Sequence, residues 1–157
     1  GQTKYFELHQ PQFSSTVISK STVTTEVALF TLRSKATYSG KTNFIDIILE
    51  FLSVAIEASS ANNIGQIRLV RNATLGGTPS WADINTTNST VEIDVAGTTV
   101  TGGKELISAA MAGKNDKDLV DVTPYDILFT ESETVTLAVM SANSATFNGS
   151  LLWKELF

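Results

Sequence analysis

Along most of this chain apolar side chains recur at every second position, in short runs broken by Gly, Asn, Ser or Pro, which is the pattern of half-buried strands. "TVEIDVAG" sets Val91, Ile93 and Val95 against Glu92 and Asp94, which places the two carboxylates on the solvent side. "ETVTLAVMS" alternates Val135, Leu137 and Val139 with Thr134, Thr136 and Ala138, and "ATFNGSLLWKE" aligns Phe147, Leu151 and Trp153 on one core-facing side. "IGQIRLVRNA" turns Ile67 and Leu69 inward with Arg68 and Val70 outward. "TEVALFTLRSKATY" departs from the rule: Val27, Leu29 and Thr31 share one face, Ala28, Phe30 and Leu32 the other, and both are apolar. "GKELISAAMAGK" fits either a strand or a short helix, and the flanking Gly102, Gly103 and Gly113 favour the strand.

The most apolar stretch, "NFIDIILEFLSVAIEA" at 43–58, fits two templates. Wound as a helix, it stacks Asp46, Glu50, Ser53 and Glu57 in one stripe. As a strand it puts Ile45, Ile47, Leu49, Phe51 and Ala55 on one face. Phe44, Ile48, Leu52, Val54 and Ile56 then lie on the other, beside Asp46 and Glu50. Strands recurring about every 10–15 residues with turn signals between them belong to a sandwich or jelly roll, so the spacing predicts a strand. A strand greasy on both sides needs a second cover. The expectation is that Phe44, Ile48, Leu52, Val54 and Ile56 lie in or near a subunit contact of a homo-oligomer, with Asp46 and Glu50 toward a wet rim.

Residues 1–15, "GQTKYFELHQPQFSS", lack the alternation and contain Pro11. They read as an N-terminal arm that Tyr5, Phe6 and Phe13 anchor to the domain or to a neighbour, leaving 16–157 as one domain. The fold expected is therefore all-β: an antiparallel β-sandwich, jelly-roll-like, with an N-terminal arm. Opening on Gly1 rather than Met, the chain reads as a processed product, a fragment, or one carrying a cleavage scar.

Composition narrows the function. The chain has 157 residues, enough to bury a core unaided, and no cysteine, so disulfides, thiolate catalysis and cysteine metal sites are excluded. A net charge of −5 and a pI near 4.8, with lysines and arginines scattered, give no field to attract phosphates and argue against nucleic acid. Asp46, Glu50 and Glu57 interrupt the best candidate for a membrane span, so membrane insertion is not expected.

Candidate chemistry is sparse. His9 is the only histidine and falls in the arm, which leaves a Ser-His-Asp site without a fixed base. Asp116, Asp118 and Asp121 in "KNDKDLVD" cluster oxygens of the kind that bind calcium, but the stretch lacks the Gly and bidentate Glu of a calcium hand and reads as a solvated turn. Asp83, Asp94, Asp46 and Glu50 offer carboxylates for glycoside cleavage without a focused cleft. "NAT", "NTT", "NST" and "NGS" match the glycosylation acceptor pattern, as a Ser- and Thr-rich chain does by chance. No metal or cofactor is implied. "LGGTPSW" supports an alternative reading as a carbohydrate-binding, lectin-like module, in which Trp81 stacks on a sugar face with Tyr38 and Asn72 as further loop contacts. The plainer reading is a loop pinned by its own Trp.

Three segments carry a resemblance: "LFTLRSKATYSGKTNFIDIILEFLSVAIE", "IRLVRNATLGGTPSWADINTTNSTVEIDVAGTTVTGGKEL" and "ETVTLAVMSANSATFNGSLLWKE". Their order is a strand carrying Arg33, a second hydrophobic strand, "IRLVRNATL" leading into "SWADINTTNSTVEIDVA", then "TGG". A final strand ends in Trp153 and a charged residue. From about residue 25 to the end, the chain resembles a domain recurring in the structural proteins of tailed bacteriophages. The resemblance implies a jelly-roll-like fold in the virion, often trimeric, with no catalytic residues. The implied role is capsid decoration or a tail, fibre or baseplate part, with other virion proteins, and for a receptor-binding part a host surface glycan, as partners.

Overall fold

The computed structural model describes residues 10–58, 64–112 and 115–157. Among them the strands are, in chain order, β1 (Gln12–Ser14), β2 (Ile18–Val23), β3 (Val27–Ser34), β4 (Thr37–Tyr38), β5 (Lys41–Thr42), β6 (Asp46–Ala58), β7 (Gly65–Arg71) and β8 (Thr74–Leu75). They continue as β9 (Trp81–Asp83), β10 (Val91–Asp94), β11 (Val100–Thr101), β12 (Lys104–Met111), β13 (Lys117–Asp121), β14 (Leu128–Phe129), β15 (Thr134–Ser141) and β16 (Ala145–Leu156). A single turn of 3-10 helix, Thr123–Tyr125, is the one helical element among the described residues.

One sheet runs β1-β16-β6-β13, with β2 also along β16 and β14 along β6; the other runs β12-β7-β15-β3-β10-β9. Every ladder in both sheets is antiparallel. The chain crosses between sheets after β2, β3, β6, β12, β13/β14 and β15. The resulting orders, β1/β2-β16-β6-β13 facing β3-β15-β7-β12, are the two interlocked Greek keys of a jelly roll. β9 and β10, from the long β7–β12 connection, lengthen the second sheet beyond β3. The all-β antiparallel sandwich expected from the alternation is what forms, and 43–58 supplies a long strand, not a helix.

The core lies between the sheets, built on Trp153, Phe30, Phe129, Phe147, Leu49, Ile56, Leu69 and Leu137, none more than 1% exposed. Gly149 sits in mid-β16 against Leu29 and Leu137 of the second sheet. A Cβ there would lie 2.7 Å from Leu29 Cδ2 and 3.1 Å from Leu137 Cδ2, so the crossing is closed by the absence of a side chain.

Two apolar-on-both-sides patterns have the same cause. In the β15–β3 ladder Leu137 pairs with Phe30 and Ala138 with Ala28, so Leu29 is an extra, bulged residue. Inward positions switch from Leu29 to Phe30 and Leu32 across it, while Ala28 joins Val70, Val100 and Ala138 in a separate small cluster. In the β16–β6 ladder Leu152 pairs with Phe51 and Trp153 with Leu49, so Glu50 is the bulged residue.

Three sequence expectations are corrected here. The arm boundary at residue 15 falls inside the sandwich, because Gln12, Phe13 and Ser14 pair with Lys154, Trp153 and Leu152 and Phe13 packs on the core. Residues 1–9, including Tyr5, Phe6 and His9, lie outside the described residues. Asp94 is 1% exposed, not solvent-facing: β10 ends there, and its carboxylate turns back to accept the backbone N–H of Ser80 (2.7 Å), Ala96 (3.0 Å) and Gly97 (2.9 Å). Finally, β6 does not present an apolar even-numbered face. Leu52, Val54 and Ile56 are core residues of the monomer, at 1%, 1% and 0% exposure, and are not available to a neighbour.

Candidate assembly face

The bulge at Glu50 determines what the outside of the first sheet looks like. On its N-terminal side Ile47 and Leu49 point inward; on its C-terminal side Leu52, Val54 and Ile56 do. The outward set is therefore Asp46 and half-buried Ile48, then Phe51, Ser53, Ala55 and Glu57. Glu50 itself accepts from Gln12 Nε2 (2.7 Å) and pairs with Lys154 Nζ (3.6 Å), which ties the bulge to β1 and β16.

Cross-strand register then gathers an apolar surface. Leu119 of β13 stands opposite Ser53, which stands opposite Ser150. In the next row Phe51 lies between Asp121 and Leu152, and Leu152 beside Ser14. Leu119 is 73% exposed, Val17 in the β1–β2 bend 68%, and Phe51 37%. With Leu152 these side chains border a shallow depression of about 770 Å³, floored by serine positions too small to fill it. An exposed aliphatic and aromatic patch of this kind is a candidate protein contact.

The outer face of the second sheet is the opposite in character. Arg68 grips Glu26 through two nitrogens, Nε at 2.7 Å, and lies 3.7 Å from Glu105. Arg71 pairs with Glu133 (3.7 Å), Arg33 with Glu92 (3.5 Å) and Lys35 with Asp83 (2.7 Å). The hydrogen bond with Glu26 holds the Arg68 guanidinium above its ordinary pKa. These charges are matched within the chain and stay wet.

The buried carboxylates are structural. Glu155, fully buried, accepts Ser89 Oγ (2.5 Å), Thr90 N (2.6 Å), Thr90 Oγ1 (3.0 Å) and Trp153 Nε1 (3.1 Å), and so fastens the loop before β10 to the end of β16. Lys20 donates to the carbonyls of Ala28 (2.7 Å) and Gly97 (3.2 Å); burial lowers its pKa, with Asp94 pulling the other way.

The residues expected at a subunit contact do not come together. Phe44 is 82% exposed ahead of β6, Ile48 is half-buried between Lys154 and Leu128, and the other three are core. The three glycan candidates also separate. Trp81 carries the Arg33 guanidinium 4.0 Å above its ring, which occupies a face a sugar would need. Tyr38 donates to Thr87 O (2.8 Å) and packs tilted against Phe157, ring centroids 5.7 Å apart and planes at 56°. Asn72, at φ 55°, exchanges two 2.9 Å hydrogen bonds with Thr134 and serves as a turn. Asp116 caps Ala112, and Asp121, its pKa lowered by the Thr123 hydroxyl and N–H, caps Thr123; no metal-binding carboxylate group forms among the described residues.

Reasoning from periodicity missed Phe51, Leu119 and Leu152 as surface residues. The signal was Glu50, a charge lodged between the doubled apolar pairs Ile48-Leu49 and Phe51-Leu52.

No family model matches the chain, and no curated protein matches it. Two solved structures are similar at 8% identity: a T13 viral particle of infectious bursal disease virus (TM-score 0.36, 92% of this chain and 31% of that one) and the VP2 subviral particle of the same virus (TM-score 0.37, 93% and 33%). The chain spans about a third of the length of each. At these scores the likeness is loose, and no property of either particle passes to this chain.

Proposed function

We propose that this chain is a non-enzymatic structural protein of a bacteriophage particle. It acts by self-assembly and by attachment to other virion proteins, as capsid decoration or as a tail, fibre or baseplate part. The observation that carries the reading is the contrast between the two outer faces: one closed by internal ion pairs, the other offering Val17, Phe51, Leu119 and Leu152 around an unfilled depression. Full burial of such side chains stabilises an assembly by about 1.5–3 kcal/mol each. The resemblance to tailed-phage virion domains supplies the setting, and a trimer is the state it implies.

Light scattering coupled to size exclusion tests this on the purified chain. The wild type is expected to elute as a homo-oligomer at micromolar concentration. The double variant Val17→Lys, Leu119→Lys is expected to elute as a monomer with unchanged circular dichroism, since both positions are exposed. A monomeric wild type, or an oligomer indifferent to both lysines, overturns the assignment of this face.

A further inference from the structure

The ion pairs on the second sheet leave one donor and one acceptor over, and both line the same cleft. Register builds its floor: Arg33 of β3 stands opposite Glu92 of β10, which stands opposite Asp83 of β9, so three charged side chains form a row on one face. A bridge between Ser34 and Glu131 draws the β14–β15 loop against the end of β3 and walls the cleft, which encloses about 620 Å³. Asp83 is taken by Lys35 at 2.7 Å. Glu92 engages Arg33 through Nε alone, at 3.5 Å, while the guanidinium rests 4.0 Å over the Trp81 ring. Arg33 is thereby held from two sides, and its two terminal nitrogens have no partner among the described residues. The half-buried Glu131 carboxylate has none either, and it forms no ion pair with the arginine that shares its cleft.

We propose that this cleft binds a neutral saccharide unit, with Arg33 as donor and Glu131 as acceptor. The lining selects the ligand by its chemistry. Arg33 and Lys35 stand against Asp83, Glu92 and Glu131, two positive charges against three negative, which disfavours an anion such as phosphate. Arg33 covers the near face of Trp81, so no aromatic platform is left for a flat ring to stack on. A sugar hydroxyl donates and accepts at once, so neighbouring hydroxyls on one ring satisfy both free groups, accepting from the Arg33 fork and donating to Glu131. The exposed hydroxyls of Thr37 and Ser132 on the rim extend the same match. The volume lies within the usual range of small-ligand sites. Trp81 acts here by positioning Arg33 and does not itself touch the sugar, which separates this site from one built on Trp81, Tyr38 and Asn72. The cleft shares no residue with the apolar face of the first sheet, and the proposal stands whether or not the chain self-assembles.

Saturation-transfer NMR on the intact chain tests this with methyl α-glucoside, methyl α-galactoside and methyl α-mannoside at millimolar concentration, beside glucuronate and glycine. At least one neutral hexoside is expected to receive saturation and to shift the amides of 34–37 and 131–132 in an isotope-labelled sample. Glu131→Gln is expected to weaken that hexoside at least about tenfold, the loss of one charge-assisted hydrogen bond. Arg33→Lys keeps the charge but not the fork and should weaken it as well, whereas Leu119→Lys on the other sheet should leave it unchanged. Binding of none of the hexosides, amide shifts centred elsewhere, an affinity indifferent to Glu131→Gln, or a preference for glucuronate or glycine over every hexoside would each overturn the assignment.

Discussion

Replacing Glu155 with alanine isolates the cost of a buried charge that the fold has fully satisfied. Four donors converge on this carboxylate, and none is more than 3.1 Å away. The hydroxyls of Ser89 and Thr90 can rotate toward other acceptors once it is gone. The Thr90 backbone N–H and the Trp153 indole N–H cannot, and each is left dry. At about 1–3 kcal/mol for each of the two stranded buried donors, the variant is expected to lose about 2–6 kcal/mol, less any gain from removing the buried charge. Glu155→Gln keeps the volume but points an amide donor at one of the existing donors, and should lose less than alanine and more than nothing. Urea unfolding at neutral pH, followed by both far-ultraviolet circular dichroism and tryptophan fluorescence, gives the difference at constant slope. A loss under about 0.5 kcal/mol for Glu155→Ala, the range of ordinary surface substitutions, would refute the idea that this carboxylate fastens the loop before β10 to β16.

Leu52→Lys should unfold or severely destabilise the monomer, by at least about 3 kcal/mol, rather than leave a folded and dissociated chain, because Leu52 lies in the core; thermal melting separates the two outcomes. Gly149→Ala should cost about 1–3 kcal/mol through its approach to Leu29 and Leu137, and a neutral effect in chemical denaturation would show that the sheets can part there. Trp153→Ala should cost about 3–5 kcal/mol, read as a fall in melting temperature. Because burial lowers the Lys20 pKa, the unfolded chain binds that proton more tightly than the fold. Its contribution to stability is lost as pH falls through the lowered folded value and is fully recovered above the ordinary 10.5. Lys20→Met should remove that alkaline rise from the stability profile.

Strand identity was legible from period-2 spacing even for 43–58, since every competing helix would have broken the regular recurrence of turns. The faces were less legible. Alternation assigns sides only relative to a fixed register, and a single unmatched residue reverses every assignment beyond it. Leu29 and Glu50 both do this, so two-sided apolar patterns that suggest a subunit contact arise from residues that turn into the same interior, with Ala28 covered in a separate small cluster. Asp94 was misplaced for a related reason: the strand stops at that residue, and a carboxylate at a strand end caps the following turn. Trp81 reads from the sequence as a loop aromatic but opens β9 opposite Asp94, and its partner Arg33 comes from another strand. Long-range pairs of that kind leave no local trace.

The bulge at Glu50 also fixes how β6 tolerates change. Up to Leu49 polar substitutions should be accepted at even numbers and rejected at odd ones; from Phe51 onward the rule inverts. Deleting one residue anywhere from Asp46 to Glu50 can be absorbed by straightening the strand at the expense of its first turn of pairing. Deleting one from Phe51 to Ala58 sets the long half of the strand out of phase with β16 and β13 together. A change of length in this strand should therefore be tolerated only in its N-terminal half, and the bulge works as a joint at which a residue can be added or dropped without rewriting the interior.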